Sequence, residues 1–381
     1  AHGEGAASFV CDQIAALSEE VTALFVEHRF DGAISWARRR AAERHVEPIA
    51  DLWPDRVTAL RVWTPRWSPR LTHRRLLDDV WRAGAIVAAR VRRKWGAVDL
   101  VHAHVVLPAG LLGAAVAQAL GVPLVLQEHS GPFDMHLDTA EKRSAVQRTL
   151  ARASVTLAVS DVLAQRMLEM SESPGKVQIV PNLVRTDLFL AQPAVGGADP
   201  LRIVSVAALH PVKGVDTLLR AIAELIARGR TVHAEIIGEG EMRGSLEDLT
   251  RQLGLSRVVT FRGAVPRAVV GEHLAAAHIY VCSSRHETFG LAPAEALSVG
   301  RPVVSTRCGG PESFVTQSFG ALVPADDPSA MADAIAVVNE RLAEFDPGRM
   351  HETIERRFGP EAFRRQMLSV YSGLLGDRVA A

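Results

Sequence analysis

The chain is poor in cysteine and in lysine. The shortage of cysteine excludes classes of protein, and the shortage of lysine makes a single lysine noticeable. Its 381 residues hold three cysteines, Cys11, Cys282 and Cys308, which are odd in number and widely spaced. They indicate neither a disulfide framework nor a cysteine-based zinc site, so we expect a reducing, cytoplasmic compartment. Only four of the 43 basic residues are lysines. This scarcity draws attention to Lys213, which lies in a loop next to a glycine.

The chain also lacks net charge and a clear membrane span. Basic and acidic residues balance at 43 each, so nothing favours nucleic acid, and membrane contact is expected to be peripheral at most. Residues 105–127 carry no charge and are long enough to cross a bilayer, but prolines and glycines interrupt them. We interpret them as a short helix over 110–120 and a buried strand over 122–128. The first residues lack a signal peptide's basic head and apolar run.

Length and hydrophobic patterning predict two α/β domains. A chain of 381 residues is too long for one ordinary core. Strands alternate with helices in both halves, which predicts doubly wound parallel sheets. The predicted strands are 21–27, 61–64, 98–104, 122–128, 155–160 and 177–181, then 201–207, 233–238, 258–262, 279–283, 302–306 and 321–324. The predicted helices of the first half are 9–20, 34–45, 75–95, 110–120, 141–153 and 161–170.

The most informative segment runs from His286 to Leu297. Glu287 and Glu295 are separated by seven residues, and a Thr-Phe-Gly-Leu turn between them opens a helix. A buried strand precedes the turn, and ligands of open parallel sheets bind at the carboxyl ends of strands. The peptide N–H groups of 288–292 are therefore expected to bind phosphate, with one carboxylate on either side for hydroxyl groups. The alternative is a surface loop with two solvated glutamates.

This segment resembles the Glu-x7-Glu signature of the retaining GT-B glycosyltransferases, in particular family 4. Other blocks resemble the same family in the same order and extend the likeness over nearly the whole chain. They are 177–182 with Asp187 and Phe189, 209–216, 236–240, 301–306 and 309–312. The resemblance implies the GT-B fold, in which two Rossmann-like, doubly wound domains face a central cleft. We expect an acceptor-binding domain over 1–185, a nucleotide-sugar-binding domain over 186–358 and a C-terminal helix over 359–381 that crosses back to the first domain.

The resemblance also implies site residues. His129, Lys213 and Glu287 are the expected catalytic residues. Lys213 would contact the donor diphosphate, Glu287 the sugar hydroxyls and Glu295 the ribose, while Phe289 is equally compatible with a purely structural core position. The expected donor-binding set is Lys213, Gly214, Gly238, Glu287, Thr288, Phe289, Gly290, Leu291 and Glu295. The expected acceptor-side set is Gly5, His104 and Ser130.

One position departs from the family pattern. Family members usually carry Gly-Arg before the leucine of the lysine loop, and this chain has Ala207 and Ala208. Alanine cannot supply the charge-assisted, often bidentate contact that arginine makes with phosphate. Either another cation substitutes, for which His210, Arg262 and Arg307 are candidates, or donor binding is weak.

The amino-terminal half carries a histidine pattern with two interpretations. His102 and His104 alternate along a strand, so both imidazoles are expected on one face. With His129 they could form a three-histidine zinc site, but no carboxylate or cysteine ligand accompanies them. We favour the roles that the resemblance implies, in which His129 faces the reacting sugar and His104 lies near the acceptor cleft, and a structural role for His102.

The beginning of the chain also departs from the family. Members start with a strand, a glycine-rich loop and a helix, whereas Ala1–Ala7 supply only the loop, and no initiator methionine or leading strand is present. We expect Gly5 in this loop. Without the leading strand, the first sheet would lack a central member and expose backbone edges.

The predicted activity is transfer of a sugar from a nucleotide-diphosphate sugar, with uridine the commonest base of the family, to a hydroxyl acceptor with retention of configuration. Glycan, glycolipid or secondary-metabolite synthesis would use such a step. The chain has no Asp-x-Asp triplet that would indicate a bridging metal, and no cofactor is expected.

Two alternatives remain: a catalytically weak GT-B partner or scaffold protein, and a GT-B-fold UDP-GlcNAc epimerase. A Rossmann oxidoreductase is not expected, because this chain has no Gly-x-Gly-x-x-Gly motif after a first strand. The oligomeric state stays open.

Overall fold

A computed structural model describes residues 4–32, 46–48, 57–66, 73–171, 176–197 and 199–376, so the helix predicted over 34–45 lies outside the described residues. The chain divides into two compact units. Unit 1 combines Ala1–Leu183 with Phe363–Ala381, and unit 2 is Val184–Ala362. No helix in the described ranges combines the length and the apolar character needed to cross a bilayer.

Unit 1 contains seven described strands, which form two sheets. The strands are β1 (Ala23–Gly32), β2 (Val46–Pro48), β3 (Val57–Arg66), β4 (Val101–His104), β5 (Leu124–Glu128), β6 (Val155–Ala158) and β7 (Val177–Ile179). One sheet has the order β1-β3-β2, in which β1 and β3 are parallel and β2 is antiparallel. The other sheet, β4-β5-β6-β7, is wholly parallel. Because β4, β5 and β6 are adjacent and parallel, the residues that follow their carboxyl ends lie at one edge.

The helices of unit 1 follow the predicted positions, with one correction. They are α1 (Glu4–Leu17), α2 (His73–Trp95), α3 (Leu111–Leu120), α4 (Ala140–Arg152), α5 (Asp161–Leu168) and α12 (Pro360–Leu375), whose last thirteen residues belong to this unit. The expectation of a loop over Ala1–Ala7 is wrong from Glu4 onward, because Gly5 lies in the first turn of α1. Alanine and other helix formers around Gly5 favour the helix over the extended loop.

Helix α12 contributes to the core of unit 1. Its residues Phe363, Met367 and Tyr371 are spaced by four and form one buried stripe. They pack in a cluster with Val125, Leu157 and Val180 of the parallel sheet and its flank. The last described helix therefore contributes to the hydrophobic core of a unit whose described strands lie before residue 184.

Unit 2 is one doubly wound domain. Its strands are β8 (Leu201–Val206), β9 (Val232–Ile237), β10 (Val259–Gly263), β11 (Ile279–Cys282), β12 (Val303–Thr306) and β13 (Gly320–Val323). Its helices are α6 (Val215–Ala227), α7 (Arg243–Gln252), α8 (Arg267–Ala276), α9 (Leu291–Ser298), α10 (Pro328–Glu340) and α11 (Pro347–Phe358). Most positions of β8, β11 and β12 are buried, as expected when helices cover both faces of a parallel sheet.

The strand order of unit 2 defines where a ligand should bind. The six parallel strands have the order β10-β9-β8-β11-β12-β13. The chain builds outward from β8 to β10, then crosses to the other side of β8 and builds outward again from β11. The order therefore reverses between β8 and β11, and the crevice beyond their carboxyl ends is the expected ligand position. The loop of Lys213 follows β8, and the loop of Glu287 follows β11.

Candidate active site

The loop after β8 brings Lys213 to the carboxyl end of β11. Pro211–Lys213 form a short 3-10 turn, and Gly214 follows with a left-handed φ of +57°. A Cβ atom on Gly214 would lie 2.1 Å from the carbonyl oxygen of Ser283, so only glycine permits this approach. The hydroxyl of Ser283 in turn donates to the Lys213 carbonyl oxygen at 3.0 Å. Backbone packing thus fixes the lysine against the end of the neighbouring strand.

Lys213 and Glu287, which lie 74 residues apart in the chain, form an ion pair. The Nζ atom of Lys213 donates to Oε1 of Glu287 at 2.7 Å, and the hydroxyl of Ser284 donates to the same oxygen at 2.7 Å. Both side chains are largely buried, with 23% and 17% of their surface exposed. The sequence indicated two separate contacts with a ligand, and the structure brings both groups to one point.

The backbone of Glu287 is anchored to the loop after β12. Its N–H donates to the Cys308 carbonyl at 2.7 Å, and its own carbonyl accepts from the Gly310 N–H at 2.8 Å. Gly310 packs so closely that a Cβ atom there would lie 2.3 Å from the Phe289 Cα atom. The two loops therefore support each other and hold the carboxylate of Glu287 in one place.

The turn after Glu287 leads into α9. Gly290 is the residue before the helix, with φ +86°, and has no side chain with which to cap the first N–H groups. Thr288 and Leu291, on either side of this turn, are partly exposed. A Cβ atom on Gly290 would lie 2.7 Å from the Pro311 side chain. The glycine thus accommodates Pro311. The amino end of α9 retains the partial positive charge of its N–H groups.

Phe289 is a core residue. It is 2% exposed, and its ring packs against Phe314 and Phe358 with centroid distances of 5.6 and 5.2 Å. Of the two alternatives for this residue, the aromatic cluster supports the structural one for the side chain. Its peptide group still belongs to the turn that precedes α9.

Glu295 is neither solvated nor unpaired. It is 6% exposed, and its Oε1 accepts from Nη2 and Nε of Arg267 at 2.7 and 3.1 Å. The Arg267 guanidinium also lies 5.5 Å from the centroid of the Phe189 ring. Arg267 is the first residue of α8, and no motif in the sequence singled it out. The pair holds a carboxylate at a fixed position about one and a half helical turns into α9.

Gly238 places a third loop at the same edge. It follows β9 with φ +137°, and a Cβ atom on it would lie 1.9 Å from the Ala207 carbonyl oxygen. The loop after β9 therefore packs against the residues that lead to Lys213.

The three cations proposed to replace the family arginine are each paired with a carboxylate. His210 lies 3.3 Å from Glu241. Arg262 donates to Glu235, with its Nε atom at 2.9 Å. Arg307 lies 3.6 Å from Glu312. Ala208 itself is exposed, so a side chain at this position would project from the loop.

In unit 1, His129 and His104 lie together at the edge formed by β4 and β5. His129 Nε2 is 3.0 Å from His104 Nδ1, and His129 Nδ1 is 2.7 Å from Oδ1 of Asn182. Phe9 of α1 packs on the His129 ring with a centroid distance of 4.6 Å. Burial lowers the pKa of His129 to about 4, so its imidazole is neutral at pH 7.

Of the three histidines at this edge, His102 and His104 stack, whereas His104 and His129 meet edge to edge through their ring nitrogens. The rings of His102 and His104 are 4.3 Å apart at an interplanar angle of 27°, and those of His104 and His129 are 5.3 Å apart at 25°. The prediction that His102 and His104 share one face is confirmed. Both ring nitrogens of His129 are engaged by His104 and Asn182, and no group of three metal-ligating side chains capable of holding an ion occurs among the described residues. His102 donates to or accepts from the Tyr371 hydroxyl at 2.8 Å.

Ser130 is held by the buried carboxylate of Glu128. Oε1 of Glu128 accepts from the N–H groups of His129 and Ser130 at 2.9 and 2.7 Å and from the Ser130 hydroxyl, while Oε2 accepts from the Val106 N–H at 2.6 Å.

Directly after His104, Val105 adopts φ +69°, which is strained for a β-branched residue. Strain of this kind is concentrated at binding sites. Of the residues predicted for the acceptor side, Gly5 lies in α1, and His104 and Ser130 lie at the ends of β4 and β5.

Two family models match this chain in separate segments. The model described as Glycosyltransferase Family 4 matches residues 11–188, and the model described as Glycosyl transferases group 1 matches residues 200–340. Together they cover most of both units.

Relatives and solved structures agree with these matches. The D-inositol 3-phosphate glycosyltransferase 2 of Catenulispora acidiphila is 31% identical over 311 residues, which cover 74% of this chain and 72% of that protein. A phosphatidylinositol N-acetylglucosaminyltransferase subunit of Arabidopsis thaliana is 27% identical over 83% of this chain and 70% of its own length.

The crystal structure of Anabaena HepE in complex with UDP superposes with a TM-score of 0.75 at 18% identity, covering 98% of both chains. The sucrose-phosphate synthase of Thermosynechococcus elongatus gives 0.73 at 21% identity, over 92% of this chain and 98% of its own.

Proposed function

The chain belongs to the group 1 glycosyl transferases of glycosyltransferase family 4, and from this membership we propose that it transfers a sugar from a nucleotide-diphosphate sugar to a hydroxyl acceptor. The observation that carries the proposal is the Lys213–Glu287 pair at 2.7 Å. It lies where the strand order of unit 2 reverses, beside the amino end of α9. That position combines a cation, a carboxylate and peptide donors, which are the groups that a nucleotide sugar requires.

The diphosphate binds between Lys213 and the first turn of α9 in this proposal. The ammonium pairs with the single carboxylate of Glu287, and a diphosphate offers it more negative charge than that carboxylate does. The peptide N–H groups at the amino end of α9 supply a second, fixed positive partner. As the bond between the sugar and the diphosphate breaks, these groups stabilise the charge that develops on the leaving oxygen.

Glu287 and Glu295 then recognise the two ends of the donor. Glu287 accepts hydrogen bonds from sugar hydroxyls while Ser284 and the loop after β12 hold it in place. Glu295, fixed by Arg267, accepts from the ribose. Gly214, Gly238 and Gly290 allow the three loops to approach one another, and Thr288 and Leu291 complete the rim. The donor base is uridine in this proposal, which the similarity to a structure solved with UDP supports.

The acceptor hydroxyl is assigned to the side of unit 1 that carries His104, His129 and Ser130. Two relatives are named for inositol compounds, D-inositol 3-phosphate and phosphatidylinositol. We therefore propose a polyol or polyol phosphate as the acceptor class. Transfer proceeds with retention of configuration, and we assign no covalent nucleophile.

One observation favours a second candidate, a catalytically weak partner protein. Ala208 replaces a cation, and each of the three candidate substitutes already has a carboxylate partner. Release of sugar from a UDP-sugar, or its transfer to inositol 3-phosphate or another polyol, by the isolated chain would exclude this candidate.

The test of the main proposal is the variant Glu287→Gln. The amide keeps an oxygen for Lys213 and Ser284 but removes the charge that accepts strongly from sugar hydroxyls, so we expect transfer to fall by roughly 100-fold. The affinity for UDP, which lacks the sugar, should not fall, because the ammonium of Lys213 loses a competing carboxylate. Glu340→Gln, in an exposed pair with Arg230 at 2.6 Å, is the matched control. Wild-type turnover in Glu287→Gln would contradict the assignment.

A further inference from the structure

Three side chains at one edge of unit 1 form a continuous hydrogen-bonded chain. Asn182 Oδ1 lies 2.7 Å from His129 Nδ1, and His129 Nε2 lies 3.0 Å from His104 Nδ1. His104 ends β4, His129 follows β5 and Asn182 lies three residues beyond β7. Residues from two neighbouring segments, β4 and the end of β7, therefore converge on the imidazole that follows β5, and both of its nitrogens have a partner.

The chemistry of these partners permits one arrangement of protons. A carbonyl oxygen of an amide only accepts, so His129 Nδ1 must carry the hydrogen and donate it to Asn182. A neutral imidazole has one N–H, which leaves a lone pair on His129 Nε2. Two nitrogens 3.0 Å apart require one donor and one acceptor. His104 must therefore carry its hydrogen on Nδ1 and donate it to His129.

The neutral state on which this argument depends follows from the surroundings. Burial lowers the pKa of His129 to about 4, and burial together with His102 and His129 lowers the pKa of His104 well below its usual value. Among the described residues, the titratable groups with an identified interaction with His129 include His104 and His102 from β4 and Glu128 from β5. The carboxylate of Glu128 is directed to the N–H groups of residues 106, 129 and 130. Phe9 from α1 and Asn182 add no charge.

We infer that Asn182 and His104 are positioning residues that fix His129 as the Nδ1–H tautomer, so that its Nε2 meets the substrate as a hydrogen-bond acceptor. This inference rests on the proposed function, because it assigns the partner as a hydroxyl group of the sugar or the polyol. His104 and a substrate hydroxyl are alternative donors to Nε2, so a hydroxyl that replaces His104 there must donate its hydrogen. The site is therefore specific for a donor group, and a substrate analogue with an oxygen that can only accept, such as a methyl ether, is rejected.

The tautomer can be measured without any activity. In protein labelled with ¹⁵N-histidine, long-range ¹H–¹⁵N correlation spectra at pH 7 distinguish protonated from unprotonated ring nitrogens, and the variant His129→Gln identifies the His129 signals. We expect a protonated Nδ1 and an unprotonated Nε2 for His129, and a protonated Nδ1 for His104. A protonated Nε2 on His129 would overturn the inference.

Variants at Asn182 test the consequence for catalysis. Asn182→Ala removes the acceptor, so His129 gains the Nε2–H form, and kcat should fall by roughly 10-fold or more with little change in KM for the donor. Asn182→Asp restores an acceptor, which should recover most of kcat. Its carboxylate also favours the imidazolium, so the acidic limb of the kcat/KM profile should move to higher pH by roughly 1–3 units.

The outcomes separate this inference from the proposed function. An Asn182→Asp enzyme with the pH profile of the wild type, or an Asn182→Ala enzyme with an unchanged tautomer, would show that Asn182 has only a packing role. A wild-type protein that transfers no sugar would contradict the proposed function. The ¹⁵N spectra would still decide the tautomer in that case.

Discussion

Ala208 is the residue at which the predicted donor site departs from the family pattern. It is exposed in the loop between β8 and Lys213, where the family carries an arginine. We predict that Ala208→Arg lowers the Kd for UDP by roughly 10-fold, because a guanidinium–phosphate contact adds a charge-assisted hydrogen bond. Isothermal calorimetry measures the change. Gln252→Arg, at the exposed end of α7, adds the same charge as a control. Equal UDP affinities for wild type and Ala208→Arg would place the phosphates away from this loop.

The sequence predicts single site residues, but it does not predict the side chains that pair with them. Lys213, Glu287 and Glu295 are recognisable because each occupies a fixed place in a local motif. The Lys213–Glu287 pair spans 74 residues, and the partners of Glu295 and His129 are Arg267 and Asn182. Asn182 ends a segment that resembles the family, but its contact with a histidine 53 residues earlier depends on the register of three strands. Arg267 has no local signal, since an arginine at the start of a helix is usually solvated.

At the scale of elements, continuous apolar runs made the parallel strands predictable. All six strands of unit 2 lie within about two residues of the predicted positions, because strands buried on both faces carry few polar interruptions. The three-residue β2 was missed, since its antiparallel pairing with β3 gives no local pattern. The start of α1 was misassigned because Gly3 and Gly5 indicated a loop, while helix formation from Glu4 includes Gly5.

The packing of the loop after β12 against the turn before α9 gives an element-level prediction. Gly310→Ala places a methyl group 2.3 Å from backbone atoms of Phe289, and backbone cannot move aside as a flexible side chain can. The turn that carries Glu287 should shift, and UDP-sugar binding should weaken by roughly 10-fold or more, since a displacement of about 1 Å is enough for such a loss. Calorimetric titration with the donor tests this.

The matched control is Gly244→Ala in α7, where a Cβ atom has nothing within 4 Å. In a helix this change should stabilise the protein by up to about 1 kcal/mol and leave donor affinity unchanged. If Gly310→Ala bound the donor as Gly244→Ala does, the loop after β12 would not support the site.

At the scale of the whole molecule, the order of the strands decides where the chemistry lies. The alternation of strands and helices predicts parallel sheets, but the order β10-β9-β8-β11-β12-β13 is a long-range property that no local pattern contains. Only the family resemblance anticipated that the loops after β8 and β11 would meet. In unit 1 the described strands form two sheets, β1-β3-β2 and β4-β5-β6-β7, and the histidine edge belongs to the second.

Buried histidines make the stability of the molecule depend on pH. The pKa of His129 is lowered to about 4 and that of His102 to about 3, chiefly by burial, whereas an unfolded imidazole titrates near about 6.5. Between these values the unfolded chain binds more protons than the native chain. Each histidine therefore lowers the free energy of unfolding by up to about 1.4 kcal/mol for each pH unit below about 6.5, and the loss from His129 ends near pH 4.

Urea unfolding at pH 7.5, 6.5, 5.5 and 5.0 measures this dependence. We expect the free energy of unfolding to depend less steeply on pH in His129→Gln than in the wild type. The difference in slope should correspond to the uptake of up to one proton on unfolding, because the variant removes one histidine whose pKa is lowered in the native state. Identical slopes for the two proteins would show that the imidazole of His129 is accessible to protons in the native state.

The central claim is that unit 2 binds a diphosphate through Lys213, and the affinity for UDP tests it most directly. Lys142 offers a matched control, because its Nζ atom also pairs with a carboxylate, Asp138 at 2.9 Å, and its side chain is 24% exposed against 23% for Lys213. Calorimetric titration of wild type, Lys213→Met and Lys142→Met with UDP should show a loss of roughly 10- to 100-fold for Lys213→Met alone. Equal affinities in all three proteins would contradict the account.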